Sequence, residues 1–125
     1  MAAGSTIDPD EVARFDRLAR EWWDPNGPMR PLHRLNPLRL QYVRDEACRR
    51  FGRDPRQARP LEGLAALDVG CGGGLLSEPL ARLGAIVVGL DPAPTNIAVA
   101  RRHAERSDLA IDFRDEEVGD VARRG

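Results

Sequence analysis

The chain has 125 residues, of which 42% are apolar and 31% charged, values ordinary for a globular domain with its own core. Its 19 basic residues, all arginine, nearly balance 20 acidic ones, and the formal net charge of -1 excludes a general attraction to nucleic acid. No stretch approaches the roughly 20 apolar residues of a membrane-spanning helix. The only two cysteines, Cys48 and Cys71, have neither zinc-site nor disulfide-framework spacing, which fits a reducing cytoplasm.

Two helices are predicted in the first half of the chain. Residues 1–7 form a tail, and Asp8 followed by Pro9 is typical of a helix start, so a helix is expected over 9–23. Asn36-Pro37 repeats that signal and predicts a second helix over 37–51, after a loop at 29–36. Gly52 should end this helix, whose inner face would hold Leu40, Val43, Ala47 and Phe51.

The pattern changes after residue 62, where short apolar runs alternate with helical spacing. Strands are expected at 64–69, 86–90 and 110–113, and helices at 75–83 and 95–106, the first of them kinked by Pro79. Such alternation is typical of parallel β-α-β units in an α/β sheet. We therefore divide the chain into a helical extension with a surface linker, 1–62, and the start of an α/β domain, 63–125.

A glycine-rich turn joins the first strand to the next helix. It contains Gly70, Gly72 and Gly74, with Asp68 just before them. Glycine tolerates the backbone angles of a tight turn, and the missing side chains let a ligand approach the backbone amides at the helix start. A purely structural turn is the alternative. Asp68 could contact a ligand's amino group or tie the loop to the helix, and the two roles are equally supported.

The spacing of these glycines helps to choose the ligand. A dinucleotide fingerprint needs G-x-G-x-x-G, but the sixth position counted from Gly70 is Leu75. The observed G-x-G-x-G resembles motif I of the class I methyltransferases. Asp91 ends the second strand, where a carboxylate can accept hydrogen bonds from both hydroxyls of a ribose. Its alternative role is to cap the following helix.

Three segments together resemble the ubiquinone-biosynthesis O-methyltransferases. They are FDRLAREWWD at 15–24, PLHRLNPLR at 31–39, and LDVGCGGGLLSEPLARLGA at 67–85 with GLD at 89–91. The glycine motif is shared by many methyltransferases, whereas WWD followed by PLHRLNPLR is specific. The resemblance extends over about residues 8–115.

The resemblance implies a Rossmann-like class I methyltransferase fold with strand order 3-2-1-4-5-7-6, truncated here after strand 3. It implies S-adenosylmethionine as the methyl donor, bound by Arg39, Gly70 and Asp91, with Asp68 and Gly72 in the same loop region. The acceptor would be a phenolic or catechol hydroxyl of a polyprenylated quinone precursor. Its tail implies contact with the membrane surface or with quinone-pathway proteins, for a cytoplasmic enzyme peripheral to the inner membrane. No catalytic base or metal site can be identified.

Five further side chains have two interpretations each. Trp22 and Trp23 are predicted to pack and close over the site rather than anchor a membrane. His33 is expected to hold backbone rather than act as a base, and His103 to be solvated. Cys71, with no base beside it, is not expected to be a nucleophile.

Three other functions stay open at this point. A nicotinamide-dependent oxidoreductase is disfavoured by the glycine spacing and the N-terminal helices. A methyltransferase acting on another small molecule would carry the same glycine motif. A non-catalytic binding or scaffold role for the 125-residue chain is the third.

Overall fold

The computed structural model describes residues 8–124, and the predicted tail at 1–7 lies outside them. Five helices and three strands alternate in the described part of the chain. In chain order they are α1 (Pro9–Trp23), α2 (Arg30–Phe51), β1 (Ala65–Val69), α3 (Ser77–Arg82), β2 (Ile86–Leu90), α4 (Pro94–Arg106), β3 (Asp112–Arg114) and α5 (Val118–Arg124).

The three strands form one parallel sheet in the order β1-β2-β3. Ala65 pairs with Ile86, and Val88 pairs with Asp112. This confirms the predicted parallel α/β sheet and the order 3-2-1, although β3 lies slightly later than the expected 110–113. Because the strands are parallel, the turns after β1, β2 and β3 meet at one edge of the sheet. Within residues 8–124, nothing pairs with the other side of β1.

Helix α1 agrees with its prediction, and the Asp8 carboxylate accepts a hydrogen bond from the Asp10 amide at 2.9 Å. The predicted start of the second helix is wrong. Helix α2 begins at Arg30 instead of residue 37, replaces the expected loop, and carries Pro37 in its interior. Its end is as predicted, because Gly52 adopts a left-handed φ of 67°.

The error at Asn36 has a physical cause in a distant contact. Its side-chain amide donates to the Leu75 carbonyl oxygen at 2.7 Å instead of capping a helix. That carbonyl lies four residues before Pro79, which has no N–H to donate to it. Asn36 therefore supplies the hydrogen bond that the proline cannot. The amides on either side of Pro79 keep their bonds, Glu78 to the Gly74 carbonyl oxygen and Leu80 to the Leu76 carbonyl oxygen. The small kink expected at Pro79 stays a prediction.

Helix α2 packs against one of two buried clusters. Leu40, Val43 and Ala47 contact this cluster as predicted. Phe51 lies on the same face, where it lines a cavity together with Val43, Ala47 and Leu61, but it is 55% exposed. The cluster consists of Cys48, Leu61, Leu80, Ala85 and Val87. The second cluster fills the space between α4 and the sheet and consists of Cys71, Ile97, Ala100, Ala104 and Phe113.

The predicted surface linker at 52–62 is also partly buried. Leu61 is 3% exposed and its amide donates to the Leu83 carbonyl oxygen at 2.9 Å. Pro60 beside it is fully buried. The last residues of this segment therefore belong to the core that joins α2 to the sheet.

Candidate functional site

The glycine loop leaves β1 and bonds at once to the end of β2. The amides of Gly70 and Cys71 both donate to the Leu90 carbonyl oxygen, at 2.8 and 2.9 Å. Gly70 has a φ of 73° and open space where a side chain would start. This backbone conformation is costly for residues with a Cβ, so glycine is the residue that suits the position.

Asp91 and Gly72, two of the predicted site residues, contact each other directly. The Gly72 amide donates to Asp91 Oδ2 at 3.0 Å, and the Ala93 amide donates to Oδ1 at 2.9 Å. Asp91 is only 9% exposed, and Ala93 is the N-cap of α4. The Asn96 side-chain amide also donates to Oδ1, at 3.5 Å, and α4 has no side-chain hydrogen bond at its cap, so Asp91 ties the glycine loop to the start of α4 without capping the helix. Oδ2, with one donor, keeps a lone pair for a further one.

The other three predicted residues, Arg39, Asp68 and Gly70, line one small cavity. Its volume is about 80 Å³, and its remaining lining residues are Trp22, Leu32, Cys71, Leu75 and Leu76. Helix α2 supplies Arg39, and its early start adds Leu32 to the cavity lining. The cavity therefore brings a guanidinium and a carboxylate to the first glycine of the loop.

Asp68 is buried at 8% exposure and only partly satisfied. Its Oδ2 accepts a hydrogen bond from the Ser77 hydroxyl at 2.6 Å, while Oδ1 accepts none from the described residues. Burial raises the pKa of Asp68, and the Ser77 hydrogen bond and the charge of Arg39 oppose that rise. The free oxygen can accept a hydrogen bond from a ligand cation.

A second cavity of about 260 Å³ lies beside Gly70 and shares that residue with the first. It is formed where the turns after all three strands meet. Its lining residues are Val69, Gly70, Leu90, Pro92, Glu116, Glu117, Val118 and Gly119. The segment 116–119 was not among the predicted site residues, and its position just after β3 is the signal that could have identified it.

Both tryptophans of α1 pack on the glycine loop, as the packing interpretation predicts. The ring of Trp22 lies so close to Gly72 and Gly73 that a Cβ on either glycine would overlap it. Its Nε1 donates to Asn96 Oδ1 at 3.3 Å, and Trp23 Nε1 donates to the Gly73 carbonyl oxygen at 3.1 Å. The indoles thus cover the loop and link it to α4.

The two histidines have defined partners. His33 Nε2 donates to the Trp22 carbonyl oxygen at 2.8 Å, which confirms its backbone-holding role, although it lies on α2 instead of a loop. The predicted solvation of His103 is wrong. Its Nδ1 donates to the buried Glu78 carboxylate at 2.6 Å, and its ring stacks on Trp23. Glu78 and Trp23 lie 25 and 80 residues before His103 in the chain, so the local sequence does not predict these contacts.

Cys71 lies in the loop but is unsuited to nucleophilic chemistry. It is 7% exposed, and burial together with the charges of Asp68 and Asp91 raises the pKa of its thiol to about 12. A thiol with this pKa is almost entirely protonated near neutral pH, and the thiolate is the reactive form. The raised pKa agrees with the expectation that Cys71 is not a nucleophile, which stays a prediction.

Comparison with known proteins agrees with this geometry. Residues 66–124 match the model of the methyltransferase domain. The chain is 60% identical, over 98% of its length, to the ubiquinone biosynthesis O-methyltransferase of Methylobacterium nodulans, and covers 49% of that protein. The chain thus spans about half the length of the curated relatives it matches.

Two solved structures share the fold. The magnesium protoporphyrin IX methyltransferase of Synechocystis PCC 6803 with bound SAH is 27% identical, with a TM-score of 0.53 over 84% of this chain and 47% of that one. The bifunctional kinase-methyltransferase WbdD is 33% identical, with a TM-score of 0.53 over 82% of this chain and 20% of that one.

The fold and the domain match define a class I methyltransferase domain with a Rossmann-like parallel sheet, of which residues 8–124 form three strands. Along nearly its whole length the chain is related to the ubiquinone-biosynthesis O-methyltransferases, which confirms the resemblance inferred from WWD and PLHRLNPLR. None of the helices within residues 8–124 combines the length and apolar character needed to span a bilayer.

Proposed function

We propose that this chain forms the S-adenosylmethionine-binding part of an O-methyltransferase for polyprenylated quinone precursors. The observation that carries the proposal is the shared cavity of Arg39, Asp68 and Gly70. The names of its relatives support the quinone-pathway substrate, a phenolic or catechol hydroxyl. Contact with the membrane surface or with quinone-pathway proteins is part of the same proposal.

The donor set suits the amino-acid end of S-adenosylmethionine, which carries a carboxylate and an ammonium group. Arg39 forms no ion pair with the described residues and offers a planar fork of N–H donors for a carboxylate. Asp68 Oδ1 lacks a donor and would accept from the ammonium. Since each charged group of the cavity has its counterpart on the ligand, the residues present fit the methionyl group.

The second cavity would take the adenosyl part. Gly70 lies between the two cavities without a side chain to separate them. Asp91 would use the remaining lone pair of Oδ2 for the ribose hydroxyls, and Gly72 would hold Asp91 in place through its amide. In this proposal residues 1–62 supply Arg39 and the covering indoles, and residues 63–125 supply the loop.

Bound S-adenosylmethionine would supply an activated methyl group for direct displacement by a phenolate oxygen. The residues of this chain would then bind the methyl donor, orient it and shield it from water. Arg39, Asp68 and Gly70 would orient the methionyl end, and Trp22 would exclude water from the cavity that it lines. No base for the acceptor hydroxyl is assigned to this chain.

The test is calorimetric titration with S-adenosylhomocysteine of the full gene product that contains these 125 residues. Arg39→Ala, Asp68→Asn and Asp91→Ala should each weaken binding by about tenfold or more, because each removes a charge-assisted hydrogen bond. Arg50→Ala, an arginine on the same helix that does not line the cavity, is the matched control. Unchanged affinity in all three site variants would overturn the assignment.

A further inference from the structure

A larger cavity of about 370 Å³ lies between α1 and α4. It is separate from the two cavities at Gly70 and shares no lining residue with either. Its volume falls within the roughly 300–1,000 Å³ of small-molecule sites. The lining residues are Asp16, Ala19, Arg20, Trp23, Val99, Arg102, His103 and Arg106.

The charge of this cavity is strongly unbalanced in a chain that is otherwise nearly neutral. Three arginines line it against one carboxylate, Asp16, which bonds to Arg102 at 3.0 Å. Arg20 and Arg106 have no carboxylate within ion-pair distance among residues 8–124. Outside the cavity, Arg44, Arg49, Arg56 and Arg114 each bond to an acid close in sequence, whereas Arg14 and Arg50 form no ion pair with the described residues.

Part of the cavity wall is held in place before any ligand arrives. Arg102 is bonded to Asp16 and lies 5.7 Å from the centre of the Phe15 ring. His103 bonds to the buried Glu78 carboxylate on one side and stacks on Trp23 on the other. Glu78 Oε1 is also 3.6 Å from Arg82 Nη2. A preformed wall lowers the cost of ordering side chains when a ligand binds.

We propose that this cavity is a binding site for a phosphate-type anion, either a free phosphate compound or the headgroup of an anionic lipid. Guanidinium groups match phosphate oxygens with two parallel hydrogen bonds, and two of the three arginines here lack a carboxylate to compete with. Trp23 connects the cavity to the glycine loop, because it lines the cavity and its Nε1 donates to the Gly73 carbonyl oxygen. The proposal does not depend on methyl transfer.

The test compares two double variants that lose the same charge. Arg20→Gln with Arg106→Gln removes the two cavity arginines that lack an acid partner. Arg14→Gln with Arg50→Gln removes two arginines outside the cavity. Both pairs lie on exposed helix surfaces, and far-UV circular dichroism checks that the fold is kept. Each protein is titrated calorimetrically with inorganic phosphate and pyrophosphate, and is sedimented with vesicles of phosphatidylglycerol or phosphatidylcholine.

The expected result is saturable binding that the Arg20/Arg106 variant weakens by about tenfold and the Arg14/Arg50 variant leaves within about twofold. Binding of pyrophosphate identifies a free phosphate ligand, and binding of phosphatidylglycerol vesicles alone identifies a lipid headgroup. Equal losses in the two double variants would show attraction to net charge only and overturn the site. Absence of binding to every probe would overturn it as well.

Discussion

The indole of Trp23 and the imidazole of His103 are stacked, with ring centroids 3.5 Å apart and planes 2° from parallel. Each ring also donates a hydrogen bond to a different part of the fold. Trp23 donates to Gly73 in the glycine loop, and His103 donates to Glu78 on α3. The pair therefore joins α1, α3, α4 and the loop, and α1 is part of the site's framework.

Removing this junction should destabilise the whole domain. Trp23→Ala deletes the stack and the hydrogen bond, and we expect the free energy of unfolding to fall by about 2–4 kcal/mol. Trp23→Phe keeps an aromatic ring but loses the N–H donor, and should cost about 1 kcal/mol. Urea denaturation followed by circular dichroism measures both. Tyr42→Ala is the control, because Tyr42 is 69% exposed, and it should change the free energy of unfolding by less than about 0.5 kcal/mol. A change this small for Trp23→Ala would contradict the framework role of Trp23.

The stability cost of a clash with Trp22 can be distinguished from the cost of backbone strain by comparing substitutions at two glycines. Gly52 and Gly72 both have left-handed φ values, 67° and 55°, but a Cβ meets nothing within 4 Å at Gly52 and overlaps Trp22 at Gly72. Gly52→Ala should cost about 1–2 kcal/mol through strain alone. Gly72→Ala should cost about 1–3 kcal/mol more through overpacking.

A double-mutant cycle with Trp22→Ala checks the origin of that excess. If the indole causes it, Gly72→Ala should cost the same as Gly52→Ala once the indole is gone. Urea denaturation of the single and double variants gives the coupling free energy. An excess that persists without the indole would place the cause in the loop backbone instead.

The parts of the fold that local chemistry controls could be predicted from sequence. The glycine spacing and the strand-ending acids need only a few neighbouring residues to be recognised, so the positions of Gly70, Gly72 and Asp91 in the turns were predictable. Parallel β-α-β units restrict the sheet order in the same way. The cavity at Arg39 depended on the family resemblance, because nothing local separates this arginine from 18 others.

Long-range contacts account for the errors. Asn36-Pro37 is a good helix start in isolation, and it lies inside α2 because Asn36 bonds to Leu75, 39 residues later. The surroundings of His103 are formed by α1 and α3, so helical spacing on α4 alone made it look solvated. In both cases tertiary hydrogen bonds outweigh the local preference.

The buried carboxyl of Asp68 should make stability depend on pH. Burial raises its folded-state pKa above the value of about 4 in the unfolded chain, so between these two values the folded state binds more protons. Its contribution to stability is therefore greatest below the unfolded pKa and is lost as pH rises through the folded pKa. Asp68→Asn should remove this loss, and urea denaturation from pH 4 to 7 measures it.

Asp54 supplies a control of opposite sign for that experiment. Its pKa is lowered by hydrogen bonds from Arg56, so its contribution is present above the unfolded pKa and is lost as pH falls through the folded one. Asp54→Asn should therefore change the pH dependence in the other direction, and only weakly because the pair is exposed. Identical profiles for wild type and Asp68→Asn would contradict the burial of an ionisable group at this position.

The thiol of Cys71 should be inert in the folded protein. A pKa of about 12, due first to burial and then to the charge of Asp68, lowers the thiolate fraction at pH 8 on the order of 1000-fold relative to an ordinary cysteine. In a Cys48→Ser background Cys71 is the only thiol among these 125 residues, and its reaction with a chromogenic disulfide gives the rate. Urea should restore the ordinary rate, and Asp68→Asn should raise the native rate by removing a nearby negative charge. A native rate equal to the unfolded one would show that the loop opens readily and that the indoles of α1 do not hold it closed.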